Sequence, residues 1–259
     1  MRHHHVAPRP SMITSVAMPT FTRGEISLHY EEFGSGYPII LFAPGGMRSS
    51  IEFWRKSPFD PIKELAGDFR VIAMDQRNAG KSSAPITASD GWHSYTGDHV
   101  ALLDHLKIDR CHLMGGCIGS SYCLGVIERA TDRVSAAVLQ NPIGLSPKNR
   151  PMFYAMFDGW ADELRKSNPS PDAAAFAQFR DRMYGGEFVF NVSRDFVKSC
   201  RTPMLILCGS DDYHPTETSK EISSLAPNSE LVENWKTPDA IPTTIERVRE
   251  FLLARTPKQ

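Results

Sequence analysis

The sequence has no apolar run approaching the ~20 residues that a membrane-spanning helix needs. Its opening, Met1-Arg-His-His-His-Val-Ala-Pro-Arg-Pro10, shows no hydrophobic signal core. An excess of either charge is also missing: 29 Lys and Arg stand against 30 Asp and Glu, a formal net charge of −1. With that balance, neither nucleic acid nor a membrane surface is an expected partner. Cysteine is sparse. The five thiols, Cys111, Cys117, Cys123, Cys200 and Cys208, show no zinc-ligand spacing and no paired framework, which reads as reduced cytoplasmic thiols and no metal site. Gly34-Ser-Gly36 and Gly115-Gly116 lack the rest of a dinucleotide or phosphate loop, so no cofactor is expected. What is present is 259 residues, 41% hydrophobic and 23% charged, enough for a full α/β core.

Apolar runs alternate with helical patterns, the signature of a mostly parallel, doubly wound sheet. An opening hairpin is expected over 20–32, then strands near 38–43, 70–75, 111–116, 135–140, 203–208 and 229–233. Helices fit near 61–66, 94–106, 118–130, 216–225 and 241–254, the last repeating Ile245, Val248, Phe251 and Leu252 at helical spacing. The domain reading is a disordered segment over 1–17, a core over 18–142 and 201–259, and an insertion over 143–200 with helices near 151–166 and 172–184.

Leu113-Met-Gly-Gly-Cys-Ile-Gly-Ser-Ser-Tyr122 sets Cys117 in a Gly-x-Cys-x-Gly frame between a strand and a helix. That is a nucleophile elbow with cysteine at its centre. The sharp turn strains the central residue and crowds the positions two before and two after it, where only glycine fits. The helix that starts there favours a thiolate and a developing oxyanion through its free N–H groups and dipole.

Tyr37-Pro-Ile-Ile-Leu-Phe-Ala-Pro-Gly-Gly-Met47 and Phe69-Arg-Val-Ile-Ala-Met-Asp-Gln-Arg-Asn-Ala-Gly-Lys-Ser82 precede the elbow. In order and spacing these segments resemble the α/β-hydrolase superfamily over roughly residues 20 to 255. Gly45-Gly46 stand where the family has His-Gly; Asp75, Arg77, Gly80 and Ser82 match its Asp-x-Arg-Gly-x-Gly-x-Ser turn, and Asn78 departs. The resemblance implies the α/β-hydrolase fold, with 143–200 as a helical cap over the active site. It implies an oxyanion hole from the N–H of Ile118 and of Met47 or Gly46, and a triad carboxylate in Gly209-Ser-Asp-Asp-Tyr-His-Pro215. Counting three from Gly209 selects Asp212; counting back four from Pro215 selects Asp211. Either carboxylate has a plainer use in capping the following turn or helix.

The resemblance fails at the base. The family places histidine in the loop after the last strand, and Leu231-Val-Glu-Asn-Trp-Lys-Thr-Pro-Asp-Ala240 contains none. His214 and His93 both lie at the carboxyl edge of the sheet, where sites in open α/β sheets form, and His214 is the stronger candidate. A thiolate held by the elbow alone is the third option. Of the aromatic residues in 143–200, Phe157, Trp160 and Tyr184 are candidates to line an apolar substrate pocket with His93, or else to hold the helical layer on the core.

The functional expectation is a cysteine-dependent hydrolase or acyl-transfer enzyme acting on a small, largely apolar ester, thioester, lactone or diketone, with a homodimer possible. It has a distant likeness to dienelactone hydrolases, which also carry cysteine at the elbow. The alternative is a fold member without the triad histidine that binds a small ligand or performs lyase or isomerase chemistry.

Overall fold

A computed structural model describes residues 19–167 and 172–258; the N-terminal segment expected to be disordered lies outside the described residues. Eight strands form one sheet in the order β1-β2-β4-β3-β5-β6-β7-β8. Strands β1 (Thr20–Arg23) and β2 (Ile26–Phe33) make the antiparallel hairpin, and β2 joins β4 (Phe69–Met74) antiparallel. From there β3 (Tyr37–Phe42), β5 (Cys111–Gly116), β6 (Val134–Gln140), β7 (Met204–Leu207) and β8 (Ser229–Val232) continue in parallel. The central strands are buried along their whole length, as a sheet covered on both faces requires.

Alternation along each strand divides the core in two. Leu113 on β5 points into one cluster and Met114 into the other. The first face is covered by α2 (Trp92–His105), α3 (Ile118–Arg129) and α7 (Thr216–Leu225); the second by α1 (Pro61–Leu65) and α8 (Ile241–Leu253).

Residues 143–200 hold α4 (Arg150–Ser167), α5 (Ala173–Tyr184) and α6 (Arg194–Ser199). The sequence reading missed α6, which is too short for periodicity to show but starts at Ser193, whose hydroxyl accepts the Phe196 N–H at 3.0 Å. Three ties hold this layer to the sheet's carboxyl edge. Met156 packs against Gly46, the Trp160 indole N–H donates to the Asn78 carbonyl at 3.1 Å, and Arg48 pairs with Glu163 at 2.8 Å.

Candidate active site

The elbow forms as its glycines require. Cys117 sits at φ 57° and ψ −120°, a left-handed conformation that a side-chain-bearing residue adopts only under constraint. The constraint is steric: a Cβ on Gly115 would lie 2.0 Å from the Gly119 carbonyl oxygen, and one on Gly119 would lie 2.0 Å from the Phe42 carbonyl oxygen. Hydrogen bonds then lock the turn. The Cys117 N–H donates to the Gln140 carbonyl at 2.8 Å, and the Ser120 hydroxyl donates to that of Gly115 at 3.0 Å. Cys117 is the one partly exposed cysteine among the five; the other four are buried.

Histidine reaches the thiol from the loop after β7. Within Asp211–His214 the Asp211 carboxylate accepts the N–H groups of Tyr213 and His214 at 3.0 and 3.1 Å, closing a tight turn. The same carboxylate oxygen lies 2.7 Å from Nδ1 of the His214 ring. With Nδ1 occupied, the buried Nε2 is left without a well-aligned partner, in electrostatic and hydrogen-bonding reach of the Cys117 sulfur. Asp212 does not make this contact. Its backbone carbonyl accepts from the buried Asn149 amide at 2.8 Å, which ties the loop to the segment leading into α4. The carboxylate in contact with His214 is therefore Asp211 and not the expected Asp212, because the turn directs Asp211 back over the ring.

The electrostatics follow from this packing. Burial alone would push the Cys117 thiol up, but the His214 charge and hydrogen bond, with the Ile118 and Gly45 amides, bring it below its ordinary value. Burial alone would lower His214; the Cys117 charge and the Asp211 carboxylate outweigh it and raise the imidazole to about 9. The two shifts share one cause, a proton that favours the ring over the sulfur. Asp211 is itself held below its ordinary value: burial would raise it, and the bonds to His214 dominate. In contrast, burial pushes Cys111 up to about 12 and raises Cys123 and Cys200.

The backbone amides of Ile118 and Gly45 lie close enough to the sulfur to favour its thiolate. Left-handed φ values of 119° at Gly45 and 57° at Gly46 fold this turn back toward the elbow. Met47 contributes its side chain, whose sulfur accepts from the Tyr184 hydroxyl at 3.6 Å.

Of the residues expected to line a pocket, Tyr184 lies near enough to Cys117 for their charges to couple. Phe157 and Trp160 are buried against each other and Phe179 inside the helical layer. His93 is exposed in the first turn of α2 on a surface shared with Arg23, Thr87 and Ser94, apart from the thiol. The loop after β8, where a histidine was sought, holds a fully buried Trp235 whose indole N–H donates to the Cys208 carbonyl at 2.8 Å.

The sequence reading did not single out Tyr122, Tyr95 or Asn149. Tyr122, five residues after the nucleophile candidate on the same helix, was the one with a usable signal. It is buried close to Cys117 and stacks on Tyr95 with centroids 5.1 Å apart.

The profile of the family described as alpha/beta hydrolase fold matches residues 38–202. The chain belongs to that family. A putative carbamate hydrolase, RutD, of Pseudomonas syringae pv. syringae (strain B728a) is 25% identical over 221 residues, covering 74% of this chain and 83% of the relative. A probable proline iminopeptidase of Leptolyngbya boryana is 31% identical over 138 residues, covering 52% of this chain; the match spans only 41% of that relative's length. Among solved structures, a serine hydrolase involved in carbazole degradation (CarC) superposes with a TM-score of 0.69 at 22% identity, over 93% of this chain and 100% of its own. At that identity the likeness concerns the fold.

Proposed function

We propose that this α/β-hydrolase-fold protein is a hydrolase that uses Cys117 as nucleophile, His214 as general acid and base, and Asp211 as the carboxylate that orients the ring. The observation that carries this reading is the line from Asp211 through Nδ1 and Nε2 of His214 to the Cys117 sulfur. Relatives named as carbamate hydrolase and iminopeptidase support hydrolysis as the reaction type. The substrate class is a small carbonyl compound: an ester, thioester, lactone or diketone.

The chemistry divides into two displacements. The thiolate attacks the carbonyl carbon, forming a C–S bond, while the carbonyl pair moves to oxygen and is met by the N–H of Ile118 and that of Met47 or Gly46. One donor of this kind contributes ~3 kcal/mol to transition-state stabilisation. The pair returns, the bond to the leaving group breaks, and the His214 imidazolium gives its Nε2 proton to that group. Water then loses a proton to the neutral ring and attacks the thioester, and the departing thiolate restores the starting state. Residues 143–200 act as a cap, with Tyr184 and Phe153 excluding water from the sulfur side of the helical layer.

The alternative, a fold member without nucleophilic chemistry, rested on the histidine-free loop after β8. With His214 beside Cys117, that loop no longer argues for it. The decisive experiment is mass spectrometry of the intact protein mixed with p-nitrophenyl butyrate. A transient acyl adduct mapping to Cys117, absent in Cys117→Ala, is the expected result. Equal turnover by Cys117→Ala would overturn the reading.

A further inference from the structure

The turn that carries His214 is stiff within itself. The Asp211 carboxylate accepts the Tyr213 and His214 N–H groups, the His214 N–H also donates to the Asp211 carbonyl at 3.0 Å, and the Asp211 N–H donates to the His214 carbonyl at 3.3 Å. Its foot is pinned as well. The Gly209 N–H donates to the buried Ser219 hydroxyl at 2.9 Å, and the Gly209 carbonyl accepts from the Thr216 hydroxyl at 2.9 Å. These bonds all lie within residues 209–219, so they set the shape of the turn and leave its tilt over the elbow to what packs on its tip.

The segment leading into α4 meets that tip. Asn149 donates one amide hydrogen to the Asp212 carbonyl at 2.8 Å and the other to the Gly144 carbonyl at 2.9 Å, while its Oδ1 accepts the Ser146 N–H at 2.8 Å. Beside it, the Phe153 ring stands edge-on to Tyr213 at 5.3 Å. One planar amide thus cross-links two segments 63 residues apart. Asn149 is 2% exposed, so water is a poor substitute for these bonds.

Closing the start of α4 does not account for all three bonds. Those to Gly144 and Ser146 fold residues 144–149 locally, and the Asn149 carbonyl begins the helix by accepting the Met152 N–H at 3.0 Å. A local turn needs no partner outside the residues it closes. The third bond goes to the backbone between the Asp211 carboxylate and the His214 ring, where a displacement would carry both groups together. Misplacing a reacting group by about 1 Å can cost ~100-fold in rate.

We infer that Asn149 is a positioning residue: by holding the Asp212 carbonyl it fixes the tilt of the 211–214 turn and keeps the His214 ring against the Cys117 sulfur. The inference rests on the reading that His214 serves Cys117 and deepens it. The helical layer over 143–200 holds the base in place besides covering the thiol.

The test follows the pH dependence of Cys117 alkylation by iodoacetamide in the full chain, with the modified residue mapped by mass spectrometry. Besides His214, the titratable groups facing the sulfur are Tyr122 from α3 and Tyr184 from α5; burial raises both well above their ordinary value, out of the range read. Asp211 and Tyr213, beside the His214 ring, belong to the turn itself. Asn149→Ala should move the alkylation midpoint upward by about one pH unit. In a His214→Gln background the same substitution should move it by less than about 0.2, since the ring through which Asn149 acts is gone. Asp172→Ala removes the carboxylate that accepts the Ala175 N–H at 2.7 Å to start α5 in the same layer, and it should keep the wild-type midpoint. Should Asn149→Ala not fold, Asn149→Ser takes its place, its hydroxyl being one bond too short for the Asp212 carbonyl. An unchanged midpoint, a shift that persists without His214, or an equal shift in Asp172→Ala would overturn the assignment. Because alkylation needs no turnover, a missing acyl adduct with the expected shifts would sink nucleophilic catalysis alone and leave Asn149 as the residue that positions the ring.

Discussion

Two neighbouring loops at the carboxyl edge of the sheet have opposite characters. The loop after β7 is polar and short, and its Asp211 carboxylate both closes the turn and holds the His214 ring. The loop after β8 turns inward and buries Trp235 among Phe59, Val248 and the rest of the second core cluster. They are also joined, since the indole of the second donates to the carbonyl of Cys208 at the foot of the first. If His214 serves as the proposed base, the comparison teaches that a base is defined by reach, not by its place in the chain. Any loop at this edge that brings an imidazole to the sulfur meets the chemical requirement. The loop freed of that task can serve as packing.

The largest expected effect tests the packing role. Trp235→Ala should destabilise the protein by about 3–5 kcal/mol, as removal of a buried indole does, measured by urea unfolding, while the folded fraction keeps its turnover. Loss of turnover in the folded fraction would break the comparison.

Next in size is the base. His214→Gln should lower turnover about 100-fold or more, and adding Trp235→His to it should restore nothing. Rescue by the second change would mean that the β8 loop can still reach the sulfur. The same variant has a pH consequence of fixed sign. Removing the imidazolium leaves burial opposed only by the Ile118 and Gly45 amides, so the Cys117 titration moves upward and alkylation at pH 7 slows. In wild type, turnover should fall on the alkaline side of about 9, where His214 gives up the proton needed by the leaving group.

Asp211→Asn should be milder, roughly tenfold in turnover, because the side chain is 50% exposed and water can replace part of the charge-assisted bond. The smallest effect sharpens the choice between adjacent carboxylates. Asp212→Asn should change turnover by less than about twofold, since the backbone carbonyl of Asp212, not its carboxylate, is the group in use. A larger loss for Asp212→Asn than for Asp211→Asn would reverse the assignment.

Much of this was legible in the chain because it depends on local backbone chemistry. A glycine two residues either side of Cys117 implies a turn that no Cβ would survive, and the clashes at Gly115 and Gly119 bear this out. Alternating apolar runs likewise implied the parallel sheet, and its strands fall within a residue or so of the expected positions. His214 was legible as a candidate from its place after β7, but two carboxylates one residue apart differ only in the direction a turn gives them.

By itself, then, the sequence determined the elbow and the positions of the sheet's parallel strands, and it held His214 among its candidate histidines, all consequences of sterics and periodicity within a few residues. Tertiary structure alone decided that Asp211 and not Asp212 holds His214 and that Trp235 fills the core beneath the neighbouring loop. Those outcomes turn on side-chain direction and on which polar atoms find partners. Both are settled only when elements distant in sequence, here the two edge loops, pack against one another.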